Sequence, residues 1–237
     1  MTVDMSGFNG LSSRTIFCAW TGKNPLSQQR LNCLFSLMQN PCCPVILLKS
    51  STLSNWILPD SPLHPAYEYL SETHRSDYLR CYLMHHFGGG YSDIKLTGYN
   101  WLPAFSALEN SDADGAGYTE LGPGCVAVHP SSDGPALRAA YKKLIGNAAF
   151  LFKKRSSFTT EWFKRVNNTL DEKMDLLKEN PSRHPQDVLE MQFSDGTVSK
   201  YPLRWAEIQG EIFHQLTFER MDSVIHVDIV PLLHSYR

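Results

Sequence analysis

Residues 76–95, SDYLRCYLMHHFGGGYSDIK, constrain the fold more than any other stretch. The first twelve read as a helix: Asp77 and Arg80 stand three apart on one face, and Tyr78, Leu79, Cys81, Tyr82 and Leu83 supply packing surface. Gly88 ends it, because glycine adopts the left-handed conformation at little cost, and Gly89 and Gly90 admit close backbone approach. A strand is expected over 90–96. Its side chains alternate, so Tyr91, Asp93 and Lys95 share one face and Gly90, Ser92 and Ile94 the other. The order helix, glycines, strand is the reverse of P-loop and dinucleotide-binding motifs, which excludes those classes. The stretch therefore aims Asp77, Arg80, Tyr91, Asp93 and Lys95 at one small region. A guanidinium fork suits phosphate or vicinal hydroxyls, and a carboxylate accepts from sugar hydroxyls or holds a hard cation.

The rest of the chain supplies an α/β frame. Residues 14–20, RTIFCAW, read as a first strand, and Ser27 as the cap of a helix to about Gln39 with Leu31, Leu34, Phe35 and Met38 on its apolar stripe. Residues 45–48 read as a buried, continuously apolar strand. Residues 50–65 are loop-rich, and a helix begins near Ala66 or by Ser76. Further strands are expected over 125–129 and 224–230, and helices over 135–145, 159–177 and 205–216. Alternating strands and helices imply one sheet covered on both faces. With 237 residues and no repeat or low-complexity linker, a single domain over 1–237 is expected.

Composition narrows the partners. A net charge of -2 offers no field for nucleic acid. The longest apolar runs, such as PVILL, are too short to span a bilayer, and residues 1–17 lack the basic and apolar regions of a signal peptide. The six cysteines show no CxxC spacing, so neither structural zinc nor a disulfide scaffold is expected; most read as reduced core residues of a cytoplasmic protein, in a bacterial cytosol or in a host cytosol for a virus-encoded chain.

Ser76, Asp77 and Arg80, then Met84, Gly88, Gly89, Tyr91 and Asp93, match without a gap the pattern S-D-x-x-R, leucine, G-G-x-Y-x-D-x-D. The chain thus resembles the glycosyltransferases with a "sugar-binding region containing DXD motif", including yeast-type mannosyltransferases, capsular polysaccharide synthesis enzymes and the clostridial glucosylating toxins. The resemblance covers about twenty residues. It implies a type A glycosyltransferase fold, a mostly parallel sheet flanked by helices. It also implies transfer of a sugar from a UDP- or GDP-sugar to a glycan hydroxyl, with retention of configuration. In the family the Asp and Arg of S-D-x-x-R contact the donor, which carries over to Asp77 and Arg80, and the DXD acids hold ribose and metal, which carries over to Asp93. Met84 stands in the leucine place and Lys95 in that of the second DXD acid. An ammonium there repels a divalent ion, so two readings stand: Mn²⁺ or Mg²⁺ held weakly by Asp93, phosphates and water, or metal-free chemistry in which Lys95 neutralises the diphosphate. A non-catalytic nucleotide-sugar or glycan-binding module of the same fold is the alternative function.

Other positions carry paired readings. Trp20, Thr21 and Gly22 follow the first strand, where open α/β sheets bind ligands; Trp20 is either a base-stacking ring or plain core. Asn147 is either a turn residue or part of a sugar pocket, and His214 either a satisfied core histidine or an acceptor-side group. Glu120 is a candidate acceptor-side acid. His226 and Asp228 offer a metal pair, His85 and His86 a helix end that favours cations, and residues 153–158, KKRSSF, a basic loop.

Overall fold

The computed structural model describes residues 12–232. The N-terminal stretch in which no leader was expected lies largely outside them.

The described residues build one six-stranded sheet. Its strands are β1 (Ile16–Trp20), β2 (Val45–Lys49), β3 (Gly89–Ser92), β4 (Gly115–Thr119), β5 (Ile145–Phe152) and β6 (Val224–His226), in the order β2-β1-β3-β5-β4-β6. Pairs β1–β2, β1–β3 and β4–β6 are parallel, and β5 runs antiparallel to both its neighbours, so five of the six strands point one way. This is the α/β, mostly parallel sheet flanked by helices that the sequence predicts.

Helices cover both faces. They are α1 (Gln28–Gln39), α2 (Glu72–His86), α3 (Leu102–Glu109), α4 (Gly134–Ala139), α5 (Ser157–Glu179) and α6 (Gly210–Glu219). Alternation in the strands sorts the core. Phe17, Tyr91, Phe150 and Phe152 pack with α2, α5 and α6, whereas Ile16, Cys18, Ala149 and Leu151 pack with α1 and α3. The first face is densely aromatic: Phe150, Phe152, Phe158, Trp162 and Phe213 lie ring to ring. No helix among the described residues is long and apolar enough to cross a membrane.

Caps set the helix starts that position the site. The Ser27 side chain accepts from Arg30 N at the head of α1, and Ser71 accepts from His74 N at the head of α2. Gly88 and Gly89, at φ +69 and +83, turn the chain from α2 into β3. A Cβ on Gly88 would meet Lys154 N at 2.7 Å and one on Gly89 would meet Thr15 O at 2.5 Å, so both positions demand glycine.

Several expectations fail for identifiable reasons. Phe35 and Met38 are 55% and 56% exposed; α1 instead buries Cys33, Leu34 and Leu37, a stripe rotated about the helix. β2 is an edge strand and only partly buried. Residues 65–69 form a 3-10 turn rather than the start of α2. β3 stops at Ser92, four residues short of its expected end. Residues 125–129 are not a strand: the Ala127 amide donates to His214 Nδ1, 3.0 Å away, instead of to a ladder. β6 covers only the first three residues of its expected range. The chain also holds two strands, β4 and β5, that its pattern hides. Cys18, Cys33 and Cys81 are buried as expected, whereas Cys42 and Cys125 are exposed; all six are free.

Candidate functional site

The strand order reverses at β1. The chain leaves it through α1 to β2 on one side and returns through α2 to β3 on the other, and in such sheets the crevice at the carboxyl ends of those strands is where ligands bind. A cavity of about 600 Å³ opens there. Its floor is residues 19–22 at and just beyond the carboxyl end of β1 and residues 93–95 beyond β3; one wall comes from α2 and the other from residues 184–186 and 205–209.

Asp77, Arg80, Tyr91, Asp93 and Lys95 all line this cavity, as the opening stretch predicts. They reach it by a different route from the expected one. Asp93 and Lys95 lie past the end of β3 in a bend, not on a strand face, and Lys95 N donates to Asp93 O at 2.7 Å. Arg80 is the hub. Its Nη2 lies 3.0 Å from Asp77 Oδ1 and 3.1 Å from Asp93 Oδ1, its Nη1 donates to Asn147 O at 2.8 Å, and its guanidinium sits 4.7 Å from the Tyr91 ring centre. Lys95 Nζ donates to Asp93 Oδ2 at 2.9 Å.

Burial and charge set the protonation states. Burial pushes the Asp77 carboxyl up to about 7 against the pull of Arg80. At Asp93 burial also acts upward, but Arg80 and Lys95 outweigh it and hold the carboxyl below its ordinary value. Burial works against the Arg80 charge, yet Asp93, Tyr91 and Asp77 more than offset it, so Arg80 stays a cation. Tyr91 is raised by burial and keeps its proton, shared with Ser76 Oγ at 3.1 Å.

The same geometry tests the expected metal. Both Asp93 oxygens are engaged by cations, Oδ1 by Arg80 and Oδ2 by Lys95. Glu72 is held by Arg75 at 3.2 Å and by the Thr21 hydroxyl at 3.1 Å. Among the described residues no three His, Cys, Asp or Glu side chains form a metal-binding group. The Lys95 ammonium, 2.9 Å from Asp93 Oδ2, competes by direct repulsion with any divalent ion at that carboxylate.

Trp20, Thr21 and Gly22 also line the cavity. Trp20 is half-buried, its Nε1 donating to Asn24 O at 2.8 Å with the Arg30 guanidinium 5.9 Å from its ring centre, so it is not plain core. Asn147 is no turn residue: it lies within β5, on the cavity wall, and its Nδ2 donates to Gln209 Oε1 at 3.2 Å.

Other candidates fall away from the cavity. His214 is fully buried; its Nδ1 accepts from Ala127 N, so Nε2 carries the proton and donates to Glu120 Oε2 at 3.0 Å. That contact accounts for Glu120 as well, so neither residue faces an acceptor. His226 is bonded to Thr119 Oγ1 at 3.0 Å in β6, and neither it nor Asp228 lines the cavity. Burial lowers His85, and lowers His86 to about 4, so the helix end carries neutral rings, His85 stacked on Phe163 at 4.9 Å. Residues 153–158 follow the carboxyl end of β5, which is antiparallel to β3 and so ends at the opposite end of the strands from the cavity, and Lys153 Nζ donates to Ser111 O at 2.6 Å.

Sequence reasoning missed Arg30, Glu72, His184, Gln186, Trp205 and Gln209, which also line the cavity. The sequence places Trp205 at the start of a helix over 205–216. The helix starts only at Gly210, and Trp205 stands in the preceding turns, 52% exposed.

No protein-family model and no curated protein sequence matches the chain. Among solved structures, one described as "PaToxG Glycosyltransferase" aligns over 88% of this chain and 70% of its own, with a TM-score of 0.46 and 10% identical residues. At that distance the two share a likeness in chain course, and the reading of the cavity rests on its own residues.

Proposed function

We propose that this chain is a glycosyltransferase that takes a UDP- or GDP-sugar as donor and a glycan hydroxyl as acceptor, with retention at the anomeric carbon. The observation that carries the reading is the cluster of Arg80, Asp93, Lys95 and Asp77 in a cavity at the reversal point of the sheet, built by residues of one gapless motif.

In this reading Arg80 and Lys95 face the diphosphate, Asp93 holds the ribose and orients both cations, and Trp20 stacks on the base. Asp77 fixes the guanidinium. The acceptor hydroxyl attacks the anomeric carbon from the face the diphosphate leaves. The bond from that carbon to the diphosphate oxygen breaks with its electron pair going to the diphosphate, whose oxygen takes the hydroxyl proton. No enzymatic base is required. Two cations in a half-buried pocket stabilise the charge that grows on the leaving group, work usually done by a metal. The fit of the donor set therefore favours metal-free chemistry over the weakly held Mn²⁺ or Mg²⁺.

Thermal denaturation with a panel of nucleotide sugars, followed by assay of UDP or GDP release, tests this. A donor at one hundred times its dissociation constant adds about 2.7 kcal/mol of stability. Sustained release supports the transferase, binding without release a non-catalytic nucleotide-sugar module, and no shift with any nucleotide sugar overturns the transferase.

A further inference from the structure

We infer that the segment joining α5 to α6 builds an acceptor subsite for a neutral pyranose ring, with Trp205 as its stacking platform and the Gln209–Asn147 amide pair reading its hydroxyls. The inference rests on the proposed donor site, which fills the charged end of the same cavity.

The two ends of the cavity differ in chemistry. The charged end carries Arg30, Arg80, Lys95, Asp77 and Asp93. The other end presents His184, Gln186, Trp205, Ala206 and Gln209. The ionic groups of that segment neutralise one another: Arg204 lies 3.3 Å from Glu207 and 2.6 Å from Glu211, and Lys173 lies 3.5 Å from Glu207. A ligand there meets amides, an imidazole and an indole, not a cation cluster that selects phosphate.

Trp205 is a large ring left 52% exposed on the cavity rim. No hydrogen bond or ring contact holds its side chain among the described residues. An amphipathic ring in such a place suits the apolar C–H face of a sugar. Gln209 is the second, independent observation. It is only 3% exposed and lines the cavity, its Oε1 accepts from Asn147, and its Nε2 has no partner. A buried amide donor without an acceptor is costly, and a ligand hydroxyl oxygen supplies one.

Asn147 joins the two ends. Its carbonyl accepts from Arg80 at 2.8 Å and its side chain donates to Gln209. A ring lying on Trp205 and bonded to Gln209 therefore sits beside the cation cluster, where the acceptor hydroxyl must be for transfer.

Methyl glycosides of glucose, galactose, mannose and N-acetylglucosamine serve as probes in saturation-transfer-difference NMR on the full chain loaded with UDP or GDP. At least one glycoside is expected to bind the wild type through its ring C–H protons. Its affinity falls about tenfold in Trp205→Ala and in Gln209→Ala, the loss of about 1.4 kcal/mol for one contact. Trp205→Phe keeps most of it, and the UDP or GDP affinity of Trp205→Ala stays within about twofold of wild type. Unchanged glycoside affinity in Trp205→Ala overturns the inference. So does absence of glycoside binding to nucleotide-loaded wild type, or a nucleotide affinity that drops in step with glycoside affinity. Failure of UDP and GDP to bind at all refutes the donor reading instead.

Discussion

The two walls of the cavity are built on opposite principles. The α2 wall is regular structure fixed by charge: Asp77 and Arg80 project from adjacent turns of one helix, and Arg80 ties that helix to Asp93 beyond β3 and to the Asn147 backbone in β5. The wall of residues 184–186 and 205–209 is irregular, its carboxylate Glu207 is paired with Lys173 and Arg204, and it carries an exposed indole. In the first wall, function and stability share the same atoms, so changes there alter both. In the second they are separable, which is where specificity can vary without loss of the fold.

Arg80→Ala has the largest expected effect, because it acts on the charged wall. It removes the guanidinium that lies against both Asp77 and Asp93, and stripping one partner from a buried ion pair costs about 3–5 kcal/mol. Urea denaturation should show a loss of this size along with loss of nucleotide binding. A normal donor affinity in a folded Arg80→Ala protein would remove the guanidinium from the site.

Asp77→Asn sharpens the contrast between the walls with opposite signs for stability and function. The folded-state pKa of Asp77, about 7, lies above its ordinary 3.8, so the fold retains a proton that the unfolded chain releases. The stability contributed by this proton is full below the lower value and is lost as pH rises through the higher one. Relative to wild type, Asp77→Asn should therefore become more stable as pH rises from about 5 to about 8 while donor binding weakens. Thermal melts at the two pH values check the trend; a variant whose advantage shrinks toward pH 8 contradicts the buried, raised carboxyl.

The smallest expected effect belongs to the other wall. Trp205→Ala should change stability by less than about 0.5 kcal/mol, since an exposed side chain away from any network contributes little. A loss above about 2 kcal/mol in the same urea titration would place the indole in the core.

The first wall was legible in the sequence and the second was not. Helix spacing, three glycines and a gapless motif announce Asp77, Arg80, Tyr91 and Asp93 directly. Strand alternation predicts Lys95 on the side of Asp93, and in the structure a bend after Ser92 brings it there instead. The missing strands have a steric cause. β4, GAGYT, has small residues because its neighbours are large: a Cβ on Gly115 would fall 2.3 Å from the Phe152 ring. On β5, a Cβ on Gly146 would fall 1.9 Å from the Tyr118 ring. Pairs of this kind erase the β-branched signature from which strands are read. Trp205, His184 and Gln186 sit in turns with no period, so nothing local marks them as cavity residues; tertiary folding alone brings them opposite α2.

In the proposed donor site Lys95 and Arg80 supply the charge that meets the diphosphate. Calorimetric titration of UDP and GDP into the protein in EDTA tests it most directly. The account predicts that one of them binds without metal, that Lys95→Ala, still folded, loses about 1.5–3 kcal/mol of that affinity, and that Lys95→Asp regains part of it only when Mn²⁺ is added. Binding to wild type that requires Mn²⁺, together with a Lys95→Ala protein of unchanged affinity, would contradict it.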